Sequence, residues 1–128
     1  MPDEISRPGR IWILEDDADI GFVLEFFLNE EGFKTQLFPS AVRFREAVVS
    51  GLPDLFLMDV MLPDGDGVDL CLELKQDQRC RHIPVLMMSA HAGLVGVKQC
   101  QPNGFIAKPF DLEHVLDCVQ EQLAGQHG

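Results

Sequence analysis

The chain has 128 residues, and 10 Lys and Arg against 21 Asp and Glu give it a formal net charge of −11. This length suits one domain, and a hydrophobic content of 46% is too high for a disordered acidic chain. The negative charge argues against direct binding to nucleic acid and against adsorption to anionic membranes, because both depend on clustered Lys and Arg.

Neither export nor membrane insertion is indicated by the sequence. The first ten residues, MPDEISRPGR, contain no apolar stretch of the kind found in secretory signals. The longest apolar run, IPVLMM, is far too short to cross a bilayer and suits a buried strand. The four cysteines form no CxxC pair and no zinc-like cluster with the histidines. We therefore expect a cytoplasmic protein with reduced thiols and no membrane contact.

Short apolar runs alternate with segments of helical spacing along the chain. The predicted strands are IWIL (11–14), KTQLF (34–38), LFLMD (55–59), IPVLMMS (83–89) and GFIA (104–107). The predicted helices cover 18–31, a segment that follows Ser40, 67–77, a weak helix over 92–100 interrupted by two glycines, and a last helix that follows Asp111. The turn formers of MLPDGDG separate the third strand from its helix. This alternation predicts an α/β fold with parallel strands and helices on both faces.

Polar side chains follow four of the predicted strands. Glu15 and Asp16 come after the first strand, Asp59 ends the third, Ser89 ends the fourth and Lys108 follows the fifth. Because open parallel sheets bind ligands beyond the carboxyl ends of their strands, we expect these side chains to meet at one edge.

Three carboxylates at one edge need positive charge nearby. Two carboxylates a few ångströms apart repel by about 1 kcal/mol in water and by about 4 kcal/mol in a partly buried site. Lys108 supplies one positive charge, and an oxygen-only ligand set favours Mg²⁺ as the source of two more. A carboxylate can also act as the nucleophile that forms an aspartyl phosphate. The pattern therefore predicts a magnesium-dependent phosphorylation site.

Four motifs, in this order, carry a resemblance to a known family: IWILEDD, LMDVMLPDGDG, VLMMSA and FIAKPF. Over essentially its whole length the chain resembles a response-regulator receiver domain of two-component signalling, of the kind found in chemotaxis regulators. Pro63 and Gly67, four and eight residues after Asp59, match the family's spacing. The resemblance implies a flavodoxin-like, doubly wound (βα)₅ fold with strand order 2-1-3-4-5. The receiver domain would cover residues 11–124, between a flexible segment 1–10 and a tail 125–128.

The resemblance also implies roles for the residues at the sheet edge. Asp59 accepts the phosphoryl group from a histidine kinase or a histidine phosphotransfer protein. Asp16 and Asp59 bind Mg²⁺ together with the main-chain carbonyl of Met61, and Glu15 acts on the ion largely through water. Asp17 only caps the first helix.

Further implied roles concern the switch between two states. Ser89 is the hydroxyl that moves toward the phosphate, and Lys108 pairs with the phosphate from a cis peptide bond to Pro109. Phe105 takes the place of an aromatic residue that moves between exposed and buried positions. The switched surface surrounds the fourth helix, the fifth strand and the fifth helix, and it contacts a downstream protein or an output domain outside this chain. We expect a monomer or weak dimer.

Some positions depart from the family pattern. The interval of nineteen residues from Ser89 to Lys108 is short for the family, and Gln101-Pro102 precede the last strand, so we expect a short or distorted fourth helix. That helix belongs to the face through which many receivers dimerise, so the resemblance does not carry over a dimer mode. Met61 has no polar side chain to orient an attacking water, which predicts slow loss of the phosphoryl group. His91, two residues after Ser89, either borders the site or faces solvent.

We interpret the chain as a signalling switch that catalyses only its own phosphorylation and dephosphorylation, and not as an enzyme in the usual sense. Two alternatives remain. A phosphatase of haloacid-dehalogenase type also uses an aspartate nucleophile with Mg²⁺, but it would have a second Asp where this chain has Met61, and usually a cap domain. A small flavodoxin-like ligand-binding module would have a phosphate-binding loop rich in Ser and Thr, which this sequence does not show.

Overall fold

The computed structural model describes residues 9–90 and 97–125. Its strands are β1 (Arg10–Leu14), β2 (Lys34–Phe38), β3 (Leu55–Asp59), β4 (Met61–Leu62), β5 (Gly65–Asp66), β6 (Val85–Ser89) and β7 (Gly104–Ala107). Its helices are α1 (Ala18–Glu30), α2 (Ala41–Ser50), α3 (Gly67–Gln76), α4 (Val97–Cys100) and α5 (Leu112–Gly125).

Five strands form one parallel sheet in the order β2-β1-β3-β6-β7. Counted over these five core strands the order is 2-1-3-4-5, which confirms the predicted flavodoxin-like topology. After β1 the chain passes to β2 on one side, and after β3 it passes to β6 on the other side. The connections after β1 and β3 therefore run in opposite directions and leave a crevice between them at the carboxyl edge of the sheet.

Successive residues of the buried strands point to opposite faces, and each face is covered by helices. On one face, residues of β1 and β3 such as Trp12 and Phe56 pack with α2, α3 and α4. On the other face, residues such as Ile13 and Leu57 pack with α1 and α5. All five residues of β3 and of β6 are buried, as the predicted continuous apolar runs require.

Most predicted boundaries agree with the structure to within a residue or two. β2, β3 and β7 have the predicted limits, whereas β1 begins at Arg10, which we had assigned to the N-terminal segment. β6 begins only at Val85 because Pro84, which precedes it, has no N–H to donate to a neighbouring strand. Residues 1–8 and 126–128 lie outside the described residues.

Helices α1, α2 and α5 begin at the capping side chains predicted for them, Asp17, Ser40 and Asp111. The Asp17 carboxylate accepts hydrogen bonds from the N–H groups of Asp19 and Ile20 at 2.9 and 3.1 Å. Ser40 caps α2 through the N–H of Arg43 at 3.3 Å. None of the helices within 9–90 and 97–125 has the length and apolar character that crossing a membrane requires.

The described part of the fourth helix is short, as expected, whereas the segment after Asp59 differs most from expectation. In the described chain α4 has only four residues, and residues 91–96, which include His91, lie outside the described ranges. The MLPDGDG segment is more ordered than a turn region. Its residues form an antiparallel hairpin in which Met61 pairs with Asp66 and Leu62 with Gly65.

Candidate functional site: an acidic cavity at the carboxyl edge of the sheet

A cavity of about 300 Å³ opens at the carboxyl edge of the sheet. The residues that line it come from the ends of four strands and from the start of α1: Glu15, Asp16, Asp17, Ile20, Asp59, Met61, Ser89, Ala90 and Lys108. Every polar side chain that we expected at this edge from the strand ends therefore lies at one cavity.

Glu15 is the most deeply buried of the three carboxylates, with 1% of the residue exposed. Its N–H donates to the carbonyl of Phe38, and its two carboxylate oxygens accept from Lys108 Nζ at 2.7 Å and from the Asp17 N–H at 3.1 Å. Burial raises the pKa of Glu15 above its ordinary value, and these two hydrogen bonds offset part of that rise. Glu15 is thus held in place by contacts on both oxygens.

Asp59 is the last residue of β3 and is 7% exposed. One carboxylate oxygen accepts from the Met61 N–H at 3.1 Å and the other lies 2.8 Å from Lys108 Nζ. The backbone of β3 and the first N–H of the hairpin thus orient a single carboxylate toward the cavity.

Lys108 connects the two buried carboxylates. Its Nζ forms ion pairs with Glu15 at 2.7 Å and with Asp59 at 2.8 Å, and its N–H donates to the Ser89 carbonyl at 2.8 Å. Burial by itself would lower the pKa of Lys108, but the hydrogen bonds from its ammonium to Asp59 and Glu15 outweigh burial and raise the pKa. The peptide bond between Lys108 and Pro109 is cis, as the resemblance implied.

The carboxylates of Glu15, Asp16 and Asp59 can each place one oxygen within 4.8 Å of the others. Asp16 is exposed, whereas the other two are buried. Three carboxylates and the Lys108 ammonium leave a net charge of −2. Oxygens bound to one Mg²⁺ ion lie at most about 4.2 Å apart, so small side-chain rotations bring this group into coordinating range. The charge and the donor atoms fit a divalent cation.

The two residues assigned to the switch occupy different positions relative to the cavity. Ser89 ends β6, is 2% exposed and lines the cavity beside Asp59 and Lys108. Phe105 lies on the edge strand β7, is 36% exposed and is not one of the lining residues. Phe105 lies on the same strand as the residue before Lys108 and pairs with Met87 on β6, the strand that ends at Ser89.

Sequence reasoning missed the contacts made by the hairpin. The Asp64 carboxylate accepts from the N–H groups of Ala41 and Val42 at 2.8 and 3.1 Å, and Asp66 caps α3 through the N–H of Val68 at 2.8 Å. The signal for Asp66 was available, since an Asp just before a helical segment is a common cap. Asp64 gave no such signal because its partners are 22 and 23 residues earlier in the chain.

Comparison with known proteins is consistent with this geometry. The model of the response regulator receiver domain family matches residues 11–120. The DNA-binding transcriptional regulator NtrC of Escherichia coli (strain K12) is 31% identical over 121 residues, which are 91% of this chain and 25% of NtrC. The DNA-binding dual master transcriptional regulator RpaA of a Synechocystis strain is 33% identical over 117 residues, 89% of this chain and 48% of RpaA. The chain therefore spans only a quarter to a half of these relatives.

A solved structure shows the same fold. The signal receiver domain of a signal transduction histidine kinase from Syntrophus aciditrophicus has a TM-score of 0.87 to this chain at 29% identity, with 91% of each chain covered. The family model covers the five core strands, apart from Arg10 of β1, and all the residues that line the acidic cavity. This chain belongs to the response regulator receiver domain family of two-component signal transduction.

Proposed function

We propose that this chain is a switch controlled by phosphorylation of Asp59, with a phosphohistidine as the phosphoryl donor. The observation that carries the proposal is the position of Asp59. This residue ends a fully buried strand and lines the acidic cavity, and its carboxylate lies 2.8 Å from the Lys108 ammonium. Receiver domains are signalling switches, and membership of that family supports the same assignment.

The transfer step follows from the chemistry of a carboxylate nucleophile. A carboxylate oxygen of Asp59 forms a bond to phosphorus while the bond from phosphorus to the donor's imidazole nitrogen breaks. The bonding electron pair leaves with the imidazole, which takes up a proton, and Asp59 becomes an aspartyl phosphate. The donor is a histidine kinase or a histidine phosphotransfer protein.

Phosphoryl transfer depends mainly on positioning and on charge neutralisation. Lys108 gives one positive charge against three carboxylates, so phosphoryl transfer at this site needs additional positive charge. We assign the cation site to Mg²⁺, with Asp16, Asp59 and the Met61 carbonyl as ligands and Glu15 acting through water. When bound, Mg²⁺ supplies two positive charges that neutralise the phosphoryl oxygens and the acceptor carboxylate.

Phosphorylation replaces the single negative charge of the Asp59 carboxylate with a phosphoryl group that carries about two negative charges and three acceptor oxygens. The Lys108 ammonium, which pairs with Asp59 at rest, pairs instead with a phosphoryl oxygen, and the Ser89 hydroxyl turns toward the same group. Ser89 and Lys108 are already joined by a backbone hydrogen bond, so both can respond together. Phe105 then packs inward, and the surface formed by α4, β7 and α5 changes.

The partner of that surface is either a separate downstream protein or an output domain beyond this chain. NtrC and RpaA are DNA-binding regulators, whereas the Syntrophus receiver domain belongs to a histidine kinase. We assign the receiver unit to the predicted residues 11–124 together with Arg10 of β1 and Gly125 of α5, acting in the cytoplasm as a monomer or weak dimer. Its only reactions are its own phosphorylation and dephosphorylation. Family membership leaves the haloacid-dehalogenase-type phosphatase without support.

Intact-mass spectrometry tests the proposal. With Mg²⁺ and a small phosphodonor such as phosphoramidate, we expect the chain to gain one phosphoryl group and Asp59→Asn to gain none. Asp111→Asn is the matched control, because it makes the same change at an exposed carboxylate that caps α5. Incorporation into Asp59→Asn would overturn the assignment of the acceptor, and repeated turnover of an added phosphate ester would identify an enzyme instead.

A further inference from the structure

The β4–β5 hairpin is too small to hold its own shape. Each strand has two residues, and an isolated two-stranded hairpin is marginal in water even when it is longer. The hairpin nevertheless carries Met61, whose carbonyl is a proposed cation ligand and whose N–H donates to the acceptor carboxylate of Asp59. The position of that carbonyl therefore depends on what anchors the hairpin to the rest of the fold.

The anchors at the two ends of the hairpin are local in sequence. Met61 binds Asp59, the Gly67 N–H donates to the Val60 carbonyl at 2.6 Å, and Asp66 caps α3. These contacts fix where the segment leaves β3 and where it enters α3. The tip of the hairpin, at Pro63 and Asp64, lies beyond these contacts and is closed by the pairing of Leu62 with Gly65.

Asp64 holds the tip against a distant element. Its two carboxylate oxygens accept from the N–H groups of Ala41 and Val42, the first two residues of α2, at 2.8 and 3.1 Å. A Cβ added to the neighbouring Gly65 would lie 3.2 Å from the Cβ of Ala41, so the hairpin and the helix are already in close contact. The positive end of the α2 dipole strengthens this anionic contact.

We propose that Asp64 is a positioning residue for the cation site: by fixing the hairpin to the N-terminus of α2, its carboxylate holds the Met61 carbonyl and the Asp59 carboxylate in the arrangement that binds a divalent cation. This inference rests on the proposed function of the site. The competing explanation is that Asp64 only caps α2 and stabilises the fold, with no effect on the site.

The chain offers a matched control that separates the two explanations. Ser40 also caps α2, through the N–H of Arg43, and among the described residues its hydrogen bonds stay within α2. Ser40→Ala and Asp64→Ala therefore both weaken the N-terminus of α2, and only Asp64→Ala releases the hairpin. Asp64→Asn, which keeps one acceptor oxygen, provides a milder variant if Asp64→Ala does not fold.

The test is a Mg²⁺ titration of ¹⁵N-labelled protein, followed by the backbone amide signals of Met61 and Gly67. We expect the dissociation constant for Mg²⁺ to rise about tenfold in Asp64→Ala and by less in Asp64→Asn. A tenfold rise is at the lower end of the loss of metal affinity that follows removal of a residue that orients a metal ligand. In Ser40→Ala it should stay at the wild-type value. In the phosphorylation assay, Asp64→Ala should need more Mg²⁺ for half-maximal rate but should approach the wild-type rate at saturating Mg²⁺.

Each outcome has a defined meaning. An unchanged Mg²⁺ dissociation constant in the folded Asp64 variants, or an equal rise in Ser40→Ala, overturns the positioning role while phosphorylation of Asp59 stands. Wild-type protein that binds no Mg²⁺ and gains no phosphoryl group overturns the proposed function, and the role of Asp64 falls with it.

Discussion

Gly67 packs directly against the backbone of the proposed acceptor Asp59. A Cβ at position 67 would collide with the Asp59 carbonyl oxygen and would lie 2.9 Å from the Cα of Val60. Because both neighbours are main-chain atoms, the strand end itself would have to shift. The glycine that the family pattern places eight residues after the acceptor is therefore required here by close packing.

This contact predicts the effect of Gly67→Ala. We expect the free energy of unfolding to fall by about 1–3 kcal/mol, as for other overpacked sites, and the rate of phosphorylation to drop because the Asp59 carboxylate moves. Urea unfolding and intact-mass kinetics measure the two effects. Gly51→Ala is the control, since nothing lies within 4 Å of an added Cβ there, and its stability should not decrease. Equal behaviour of the two variants would contradict the packing argument.

Lys108→Ala should destabilise the chain mainly when divalent cations are absent. The change leaves the buried carboxylates of Glu15 and Asp59 without their counter-charge, and we expect the free energy of unfolding to fall by about 1–3 kcal/mol. Added Mg²⁺ should then raise the melting temperature more in the variant than in the wild type, because the variant site is more negative.

The exposed Arg45–Glu73 ion pair provides the comparison for Lys108. Its side chains are 48% and 52% exposed, so Arg45→Ala should cost no more than about 1 kcal/mol and should not change the response to Mg²⁺. A Mg²⁺-induced rise in the melting temperature that is the same in Lys108→Ala and in Arg45→Ala would contradict the placement of the cation beside Lys108.

Met61→Gln should shorten the lifetime of the phosphorylated state. The Met61 side chain is 61% exposed and lines the cavity, but it has no polar atom that could orient a water toward phosphorus. The amide of a glutamine at position 61 can hydrogen-bond a water molecule and orient it toward phosphorus. Loss of the phosphoryl group, followed by intact mass after removal of the donor, should be several-fold faster than in the wild type. Met61→Leu should keep the slow wild-type rate, and a rate that rises equally in both variants would exclude this explanation.

Phe105→Trp should report the switch by fluorescence. Phe105 is 36% exposed at rest, so inward packing on phosphorylation should shift the emission of a tryptophan there to shorter wavelength. The wild-type chain is the control, because Trp12 is 5% exposed and packs against Phe38 at 5.1 Å between ring centroids. Emission that does not move in phosphorylated Phe105→Trp would show that this residue is not part of the switch.

Asp64 should also contribute to stability in a way that depends on pH. Hydrogen bonds from the N–H groups of Ala41 and Val42 hold the pKa of Asp64 below its ordinary value. A carboxylate with a lowered pKa in the folded state stabilises the fold fully above its unfolded pKa, near 4, and loses that contribution as pH falls through the folded value. The stability difference between wild type and Asp64→Asn should therefore be largest near pH 7 and should shrink below about pH 4. If the difference in unfolding free energy between wild type and Asp64→Asn stayed constant down to pH 3, the stabilising role of the Asp64 carboxylate would be contradicted.

The fold was predictable because its signals are local. LFLMD and GFIA gave the limits of β3 and β7, since a strand that is apolar at every position and bounded by polar residues has few other interpretations. The site was predictable for the same reason, because parallel strands bring their carboxyl ends to one edge. Glu15, Asp59 and Lys108 could thus be grouped without knowledge of any distance.

What could not be predicted depends on contacts between distant segments. Lys108 was expected to supply positive charge to the carboxylates, but its two partners at rest, Glu15 and Asp59, could not be chosen from the sequence. The hairpin after Asp59 was treated as a turn, since two-residue strands are too short to show alternation. The cap that Asp64 places on α2 joins a loop to a helix that precedes it, and local helix signals describe only neighbouring residues.

The ion pair between Glu15 and Lys108 joins residues that are 93 positions apart. Glu15 and the acceptor Asp59 are made early during synthesis, but Lys108 reaches them only after β7 has paired with β6 at the edge of the sheet. A nascent or truncated chain that ends before β7 would hold an acceptor with no ammonium beside it. We therefore expect a chain that is truncated before β7 to be a poor phosphoryl acceptor even though it contains Asp59.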